Sequence, residues 1–574
     1  MDKKTDPHPN DPLETESRQE SGQPNESPQD PKSRNSSGCS ANAESSGSWP
    51  NEPIISLSTD PAADPCIFQN IDPSAEPAAQ LKPDELLNKA QAGDVNAQLD
   101  LGLLLATSAK NQEDYAQAAY WFHEATLKDL PEAQYNLGVC AAHGLGVDRD
   151  PKIAADLFEL SAKQDYPPAQ YNLGLCFLEG LGRPADQPSA LFWFKKAARL
   201  GDAEAQWRIA EFYLLGRVVP VDIPLGIGYL TQAAEQGILP AQLALGSVYN
   251  LGHGLAQDLQ KAVYWFTKAA EAGSPEAQAN VAYAWHWGRG VPHRDLAQAF
   301  SWWQKAAEQG LVPAQNALGT YYSLGLGTET DLNEAFAWFY KAAEDGHPGA
   351  QFNAAVCLEA GLGVTKDITQ ALIWYHKAAT GGEVRAQAII GHCLLKGLGS
   401  ERNPAKAVYW YEKAAKAGYL PAQFSLGVQL AVGDGIAYEP VRAVYWFRKA
   451  AMGGLPEAQY ALGYCYLEGQ GVGQDLGQAL EWISKAALSE YPEAQLKMGY
   501  CYEEGVGVTQ DRKKALYWYE RAALNGHPAA QALAGLNYQA GTVVPQDLKK
   551  AHILLKKAAE AGITKARTIL SELD

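Results

Sequence analysis

Pro456-Glu457-Ala458-Gln459-Tyr460-Ala461-Leu462-Gly463-Tyr464-Cys465-Tyr466-Leu467-Glu468-Gly469 is the stretch on which the fold turns. Small or apolar residues at 458, 462, 463 and 466 recur at helical spacing, which predicts one apolar helix face. Pro456 suits the first helical turn, where its missing N–H has no partner anyway, and Glu457 favours the positive end of the dipole. Gly469 stops the helix, because glycine takes the left-handed cap conformation without strain.

The same reading applies far outside this stretch. An Ala-Gln pair recurs at Ala97, Ala133, Ala169, Ala205, Ala241, Ala277, Ala314, Ala350, Ala386, Ala422, Ala458, Ala494 and Ala530. Each step is 36 residues except Ala277 to Ala314, which is 37, and Ala566 keeps the phase with Arg567 in place of the Gln. Self-similarity at this period marks a solenoid. After a Gly-x-Gly-Val-type loop comes a second helix, clear in Lys261-Ala262-Val263-Tyr264-Trp265-Phe266-Thr267-Lys268-Ala269-Ala270. An alanine, then an aromatic pair, then two alanines form one apolar stripe. Each unit is thus two antiparallel helices that must stack on neighbours to bury both faces. The chain is predicted to be all-α, an array of about thirteen units from about residue 83 to 574. A lone helix near Pro83–Gly93 caps the start and Thr564–Leu573 closes the end.

The unit, nearly verbatim in Ala133-Gln134-Tyr135-Asn136-Leu137-Gly138, resembles the Sel1-like repeat, a cousin of the tetratricopeptide repeat. The resemblance implies a right-handed α/α superhelical solenoid whose first helices line a concave surface, and a role as an adaptor for protein complexes. Two departures stand out. The first unit has Thr107-Ser108-Ala109-Lys110 in place of the Gly-x-Gly loop, and the fourth reads Gly216-Arg217-Val218-Val219-Pro220. A secreted branch of the family carries a disulfide inside each repeat. This chain has one Cys per repeat at most, which does not support that branch's chemistry.

Residues 1–82 have another character. Up to Gln80 there are 14 acidic and 5 basic residues among many Pro, Ser and Asn, too little apolar area to offset ordering entropy. A disordered acidic tail is expected. The whole chain carries a net charge of −19, which argues against nucleic acid as a partner. No apolar run of membrane-spanning length occurs, so no membrane insertion is expected. The first residues show no secretory pattern, and a cytoplasmic location is the expectation.

The Gly-x-Gly segments are cap-and-turn glycines without a Walker sequence, and no H-E-x-x-H, G-x-S-x-G or S-x-x-K motif is present. Glu503-Glu504 reads as solvated charge. Cys140, Cys176, Cys357, Cys393, Cys465 and Cys501 share one position of the repeat and read as small packing residues. The expected function is therefore a scaffold with no cofactor that binds a protein or an extended peptide. Alternatives are a cell-wall or β-lactam hydrolase activity, as attributed to disulfide-rich relatives, and an exported effector scaffold.

Two residue sets are candidates for partner binding. In tetratricopeptide register, the residue two after the repeated Ala faces the groove: Tyr135, Tyr171, Trp207, Phe352, Phe424 and Tyr460. A ladder of aromatics can grip an extended peptide; the competing reading is that they pack on their neighbours. The second set is the 37-residue unit, which gathers Trp285, His286, Trp287 and Arg289 in an otherwise acidic protein.

Overall fold

The computed structural model describes residues 83–573. The tail expected over 1–82 lies outside the described residues. Those described form 28 α-helices and no strand. Thirteen helix pairs follow one another, from Val95–Ser108 with Gln112–Thr126 to Pro528–Ala540 with Leu548–Glu560. One helix, Pro83–Gln91, precedes the first pair, and Thr564–Leu573 follows the last. Extensive helix packing joins only elements adjacent in the chain, as in a quasi-one-dimensional array.

The fifth repeat shows why these residues make these elements. Its first helix, Leu239–Leu251, has proline in the first turn and ends at Gly252 with φ 71°, a conformation that a side chain would oppose. Asp258 then caps the second helix, Leu259–Glu271, its carboxylate accepting from the Lys261 amide. The Asp258 N–H also donates to the Tyr249 carbonyl at 3.0 Å, folding the loop back on the first helix. The same aspartate cap recurs at Asp150, Asp295, Asp331, Asp367, Asp475, Asp511 and Asp547.

Within a repeat, the two helices are held by a glycine and a ring. The second member of the aromatic pair is core, as at Phe266, Phe339, Tyr411 and Phe447, while Trp265, Trp338 and Trp410 are half-buried. A Cβ on Gly427 would lie 2.6 and 2.7 Å from carbons of the Phe447 ring. The ring therefore lies against bare backbone.

Between repeats, the buried Gln of Ala-Gln makes the connection. In eleven of the thirteen repeats its side-chain amide donates to the carbonyl of an alanine eight residues earlier, at 3.0 to 3.5 Å. That alanine lies in the last turn of the preceding second helix, or, for Gln98, in the leading helix Pro83–Gln91. Carbonyls there lack the usual i+4 donor and accept instead from the N–H three residues on, as Ala415 does from Gly418, so the amide takes the second acceptor site of the oxygen. Arg567 does the same work at the far end, its Nε donating to the Ala559 carbonyl at 3.1 Å.

The two departures have local answers. In the first repeat the Thr107 hydroxyl donates to the Leu103 carbonyl at 2.9 Å and the Ser108 hydroxyl to Leu104 at 2.7 Å, closing the helix without glycine. In the fourth, Val218 takes φ 66° where other repeats place the second loop glycine, a strained state for a β-branched residue.

Gly427→Ala is expected to destabilise the array by about 1–3 kcal/mol, since the ring or helix must yield to the new methyl. Alanine at the equivalent positions Ala210, Ala282 and Ala355 shows that a helix pair can adjust. A urea midpoint unchanged from wild type would refute the close-approach argument. Gln423→Leu removes the amide that reaches Ala415 at 3.0 Å, but that carbonyl still accepts from the Gly418 N–H. The loss should be about 1 kcal/mol. It should be confined to the junction of the ninth and tenth repeats, read as faster native-state hydrogen exchange there alone.

Candidate partner-binding faces

Two faces of the array present side chains to solvent in register, one on the first helices and one on the second. The sequence singled out the first. There, the residue two after the repeated Ala is buried through the seventh repeat: Leu99, Tyr135, Tyr171, Trp207, Leu243, Ala279 and Asn316. From the eighth repeat onward it is half-buried, at Phe352, Ala388, Phe424, Tyr460, Leu496 and Ala532. The position four residues further on changes in the same sense. Leu103, Val139, Leu175, Glu211 and Ser247 are buried, whereas His392, Tyr464 and Tyr500 are exposed.

The candidate ladder is thus split. Tyr135, Tyr171 and Trp207 are core residues, at most 4% exposed. Tyr135 packs on Phe158 and Tyr166 with ring centroids 5.9 and 5.5 Å apart, and Tyr171 on Phe194 at 5.6 Å. A side chain so enclosed offers no face to a partner. Phe352, Phe424 and Tyr460 keep an edge outward while resting on Tyr375, Phe447 and Tyr491. The guanidinium of Arg385 covers the Phe352 ring at 4.1 Å, a favourable cation–π contact.

The 37-residue unit also divides. Trp287 and Arg289 are exposed and Trp285 is half-buried beside His293, but His286 lies in the core. Its Nδ1 is 2.6 Å from the Tyr321 hydroxyl of the next repeat, and Arg294 Nε donates to its carbonyl at 2.8 Å. His286 joins two repeats; the accessible part is Trp287 and Arg289.

The second-helix face was not anticipated. The residue just before the aromatic pair is exposed at Tyr120, Phe192, Tyr264, Tyr409, Tyr445 and Tyr517, each edge-on to the following Trp at 5.0 to 5.4 Å. Its signal was in plain view: a third aromatic on a helix whose apolar stripe needs two.

Reactive groups are muted. Cys140, Cys176, Cys357, Cys465 and Cys501 are buried free thiols and Cys393 is half-buried. Burial pushes the Cys140 and Cys176 thiols up to about 12 and those of Cys357 and Cys465 up to about 11, so the thiolate form is scarce. Glu503 differs from its expected solvated role, since its carboxylate accepts from the Tyr519 hydroxyl. Among the described residues, no three His, Cys, Asp or Glu side chains gather as a metal site. No described helix is long and apolar enough to cross a membrane.

His286 supplies a pH dependence. Desolvation, and secondarily the charge of Arg294, lowers its pKa from the ordinary 6.5 to about 4. Between those values the unfolded chain binds a proton that the folded chain refuses, so stability falls as pH drops through this window. The slope from this residue is up to about 1.4 kcal/mol per pH unit. Thermal midpoints at pH 7 and pH 5 should differ less in His286→Gln than in wild type; equal differences would remove His286 from the account.

Among curated proteins, none matches this chain. A protective antigen present in uropathogenic Escherichia coli strains and displaying an SLR fold is 33% identical, with a TM-score of 0.67; the match covers 79% of this chain and 97% of that one. A Sel1 repeat protein from Oxalobacter formigenes is 34% identical over 53% of this chain and 88% of its own length, with a TM-score of 0.44. The Sel1 repeat itself matches thirteen times without a gap, from residues 95–130 to 528–563, with the sixth match, 275–311, carrying the extra residue. The chain belongs to the Sel1 repeat family.

Proposed function

We propose that this solenoid is a protein-interaction scaffold whose partner segment lies along the first-helix face of repeats eight to twelve. Sel1 repeat arrays typically serve as such scaffolds. The observation that carries the location is the change in burial after the seventh repeat, which leaves Phe352, Phe424, Tyr460, Tyr464 and Tyr500 partly or fully accessible on repeats eight, ten, eleven and twelve. Aromatic side chains at a regular interval give large contact area for little ordering entropy. The first seven repeats then serve as the rigid part of the frame. The role is non-catalytic: the thiols are held protonated by burial, and the histidine of the irregular unit is a core residue.

A photo-crosslinking amino acid placed at Phe424 or Tyr460 is expected to capture a discrete protein set from native lysate. The same group at Tyr445 on the second-helix face should not. The triple variant Phe352→Ala/Phe424→Ala/Tyr460→Ala, shown folded by circular dichroism, should lose that set by at least about tenfold, since each aromatic anchor is worth roughly 1 kcal/mol or more. Capture from Tyr445 alone would move the binding face to the second helices.

A further inference from the structure

In most repeats, the residue eight after the repeated Ala is aromatic and lies between two successive second helices. Tyr213, Tyr249, Tyr322, Tyr466, Tyr502 and Tyr538 hold it. Their rings and hydroxyls touch the second helix before and the second helix after. Tyr322 meets Phe300 of the earlier one at 5.3 Å, and Tyr466 accepts from Arg448 at 2.9 Å. Towards the later one, Lys261 sits over Tyr249 at 5.2 Å, Lys514 over Tyr502 at 5.4 Å and Lys550 over Tyr538 at 4.1 Å. The ammonium on the ring is a cation–π pair in each case.

The ninth repeat keeps the lysine and omits the ring. Lys406 stands twelve residues after Leu394, the same interval that separates Lys261 from Tyr249, Lys514 from Tyr502 and Lys550 from Tyr538. The loop above has also changed. Ser400 occupies the place of Val364 in the eighth repeat and Val472 in the eleventh, both of which pack on the core. Repeats eight and ten also carry leucine in place of the ring, at Leu358 and Leu430, but they keep Val364 and Ile436 above it. Among the repeats that carry the Gly-x-Gly loop, the ninth alone has lost both the ring and the loop's apolar residue.

A cavity of about 660 Å³ lies there, within the range of small-molecule sites. Its lining includes Leu372, Ile390, Cys393, Leu394 and Trp410, together with Lys377 and Lys406. Neither lysine has a carboxylate within 4.0 Å among the described residues, unlike Lys550, which is paired with Glu520, although Lys377 lies over the Trp374 ring at 4.0 Å. The site is apolar within, cationic at two points, and set in a chain whose net charge is −19.

We propose that this cavity binds an aromatic ring bearing a carboxylate, supplied from outside the chain in the place of the tyrosine that other repeats supply themselves. The ring enters between the second helices Ile368–Thr380 and Pro404–Lys416, and Lys406 covers it as its counterparts cover Tyr249 and Tyr502. The carboxylate pairs with Lys377 or Lys406. Such a group belongs either to a small aromatic acid or to an aromatic residue flanked by acidic ones in a partner. This inference does not rest on the first-helix face and concerns a different surface of the array.

The test titrates two probes, indole-3-acetate and the peptide Asp-Glu-Trp-Glu-Asp, into the purified full chain by calorimetry. Cys393 alkylation, in a Cys39→Ser/Cys66→Ser background, reports the location, because it is the one described thiol that is not fully buried. Saturable binding of either probe, with Cys393 alkylation slowed at least about fivefold, is expected. The tighter probe tells a small acid from a partner segment. Leu394→Tyr with Ser400→Val restores the residues of other repeats and should keep the array folded while abolishing binding. Lys406→Met leaves the cavity open and should weaken binding about tenfold. Absence of binding by both probes, or binding unaffected by both the cavity-filling and the lysine variants, overturns the proposal.

Discussion

A buried glutamine amide aimed at the last turn of the preceding helix is the contact on which the array depends. A helix pair cannot bury both its faces alone, so a solenoid needs something that fixes how one pair meets the next. Apolar packing alone is tolerant of small rotations, whereas a hydrogen bond is directional and fails steeply with angle. In eleven repeats the Gln reaches an alanine carbonyl eight residues back, and the small methyl of the alanine leaves room for the approach. This explains why the chain can vary its aromatics freely yet keeps Ala and Gln at nearly every step. Arg567 supports the same view, because its guanidinium is another planar donor and it makes the same bond.

The glutamine has a second arm, which the chain uses selectively. Its Oε1 accepts from Gln164 at Gln134, from Gln236 at Gln206, from Gln309 at Gln278 and from Asn525 at Gln495. In each case the donor is an amide side chain at the end of the repeat's own second helix, and at Gln278 and Gln495, which also donate to Ala270 and Ala487, the two helices and the preceding one are tied through one residue. At other repeats the corresponding residue is Leu200, Ala272, Gly453 or Ser489. Those junctions rely on the donated bond and on packing, which makes the stiffness of the array uneven along its length.

The frame was legible because it is written thirteen times. Helix ends followed from Pro and Gly, the pairing from the aromatic and alanine stripe, and the closing helix from the phase of Ala566. The aspartate caps of the second helices were equally available in the sequence but pass unnoticed beside the louder glycines. The binding ladder was legible only in part. Tyr135 and Phe424 occupy the same position of the repeat and rest on the same kind of ring, yet one is core and the other keeps an outward edge. Nothing local separates them: exposure here depends on how neighbouring first helices approach one another, a property of many repeats in series. His286 misled for a simpler reason. Among Trp and Arg it looks like part of a surface cluster, but helical geometry turns it inward towards Tyr321 of the next repeat.

Repetition also makes a departure informative in a way that a single-copy fold does not allow. In an ordinary core, Leu394 and Ser400 would be unremarkable residues beside a gap. Here, the other repeats show what normally fills the space and which lysine normally covers it. The gap can therefore be read as a vacancy of known shape and polarity. Two substitutions in one repeat are enough to open it, because the glutamine bond and the glycine–ring contact hold the helices apart whether or not the wedge is present: Gln387 still reaches Ala379 at 3.1 Å, and Gly391 still faces the Tyr411 ring. A globular core that lost a tyrosine would partly collapse on the void. The solenoid cannot collapse at one repeat without shifting its neighbours, so sites can appear along it without loss of the frame.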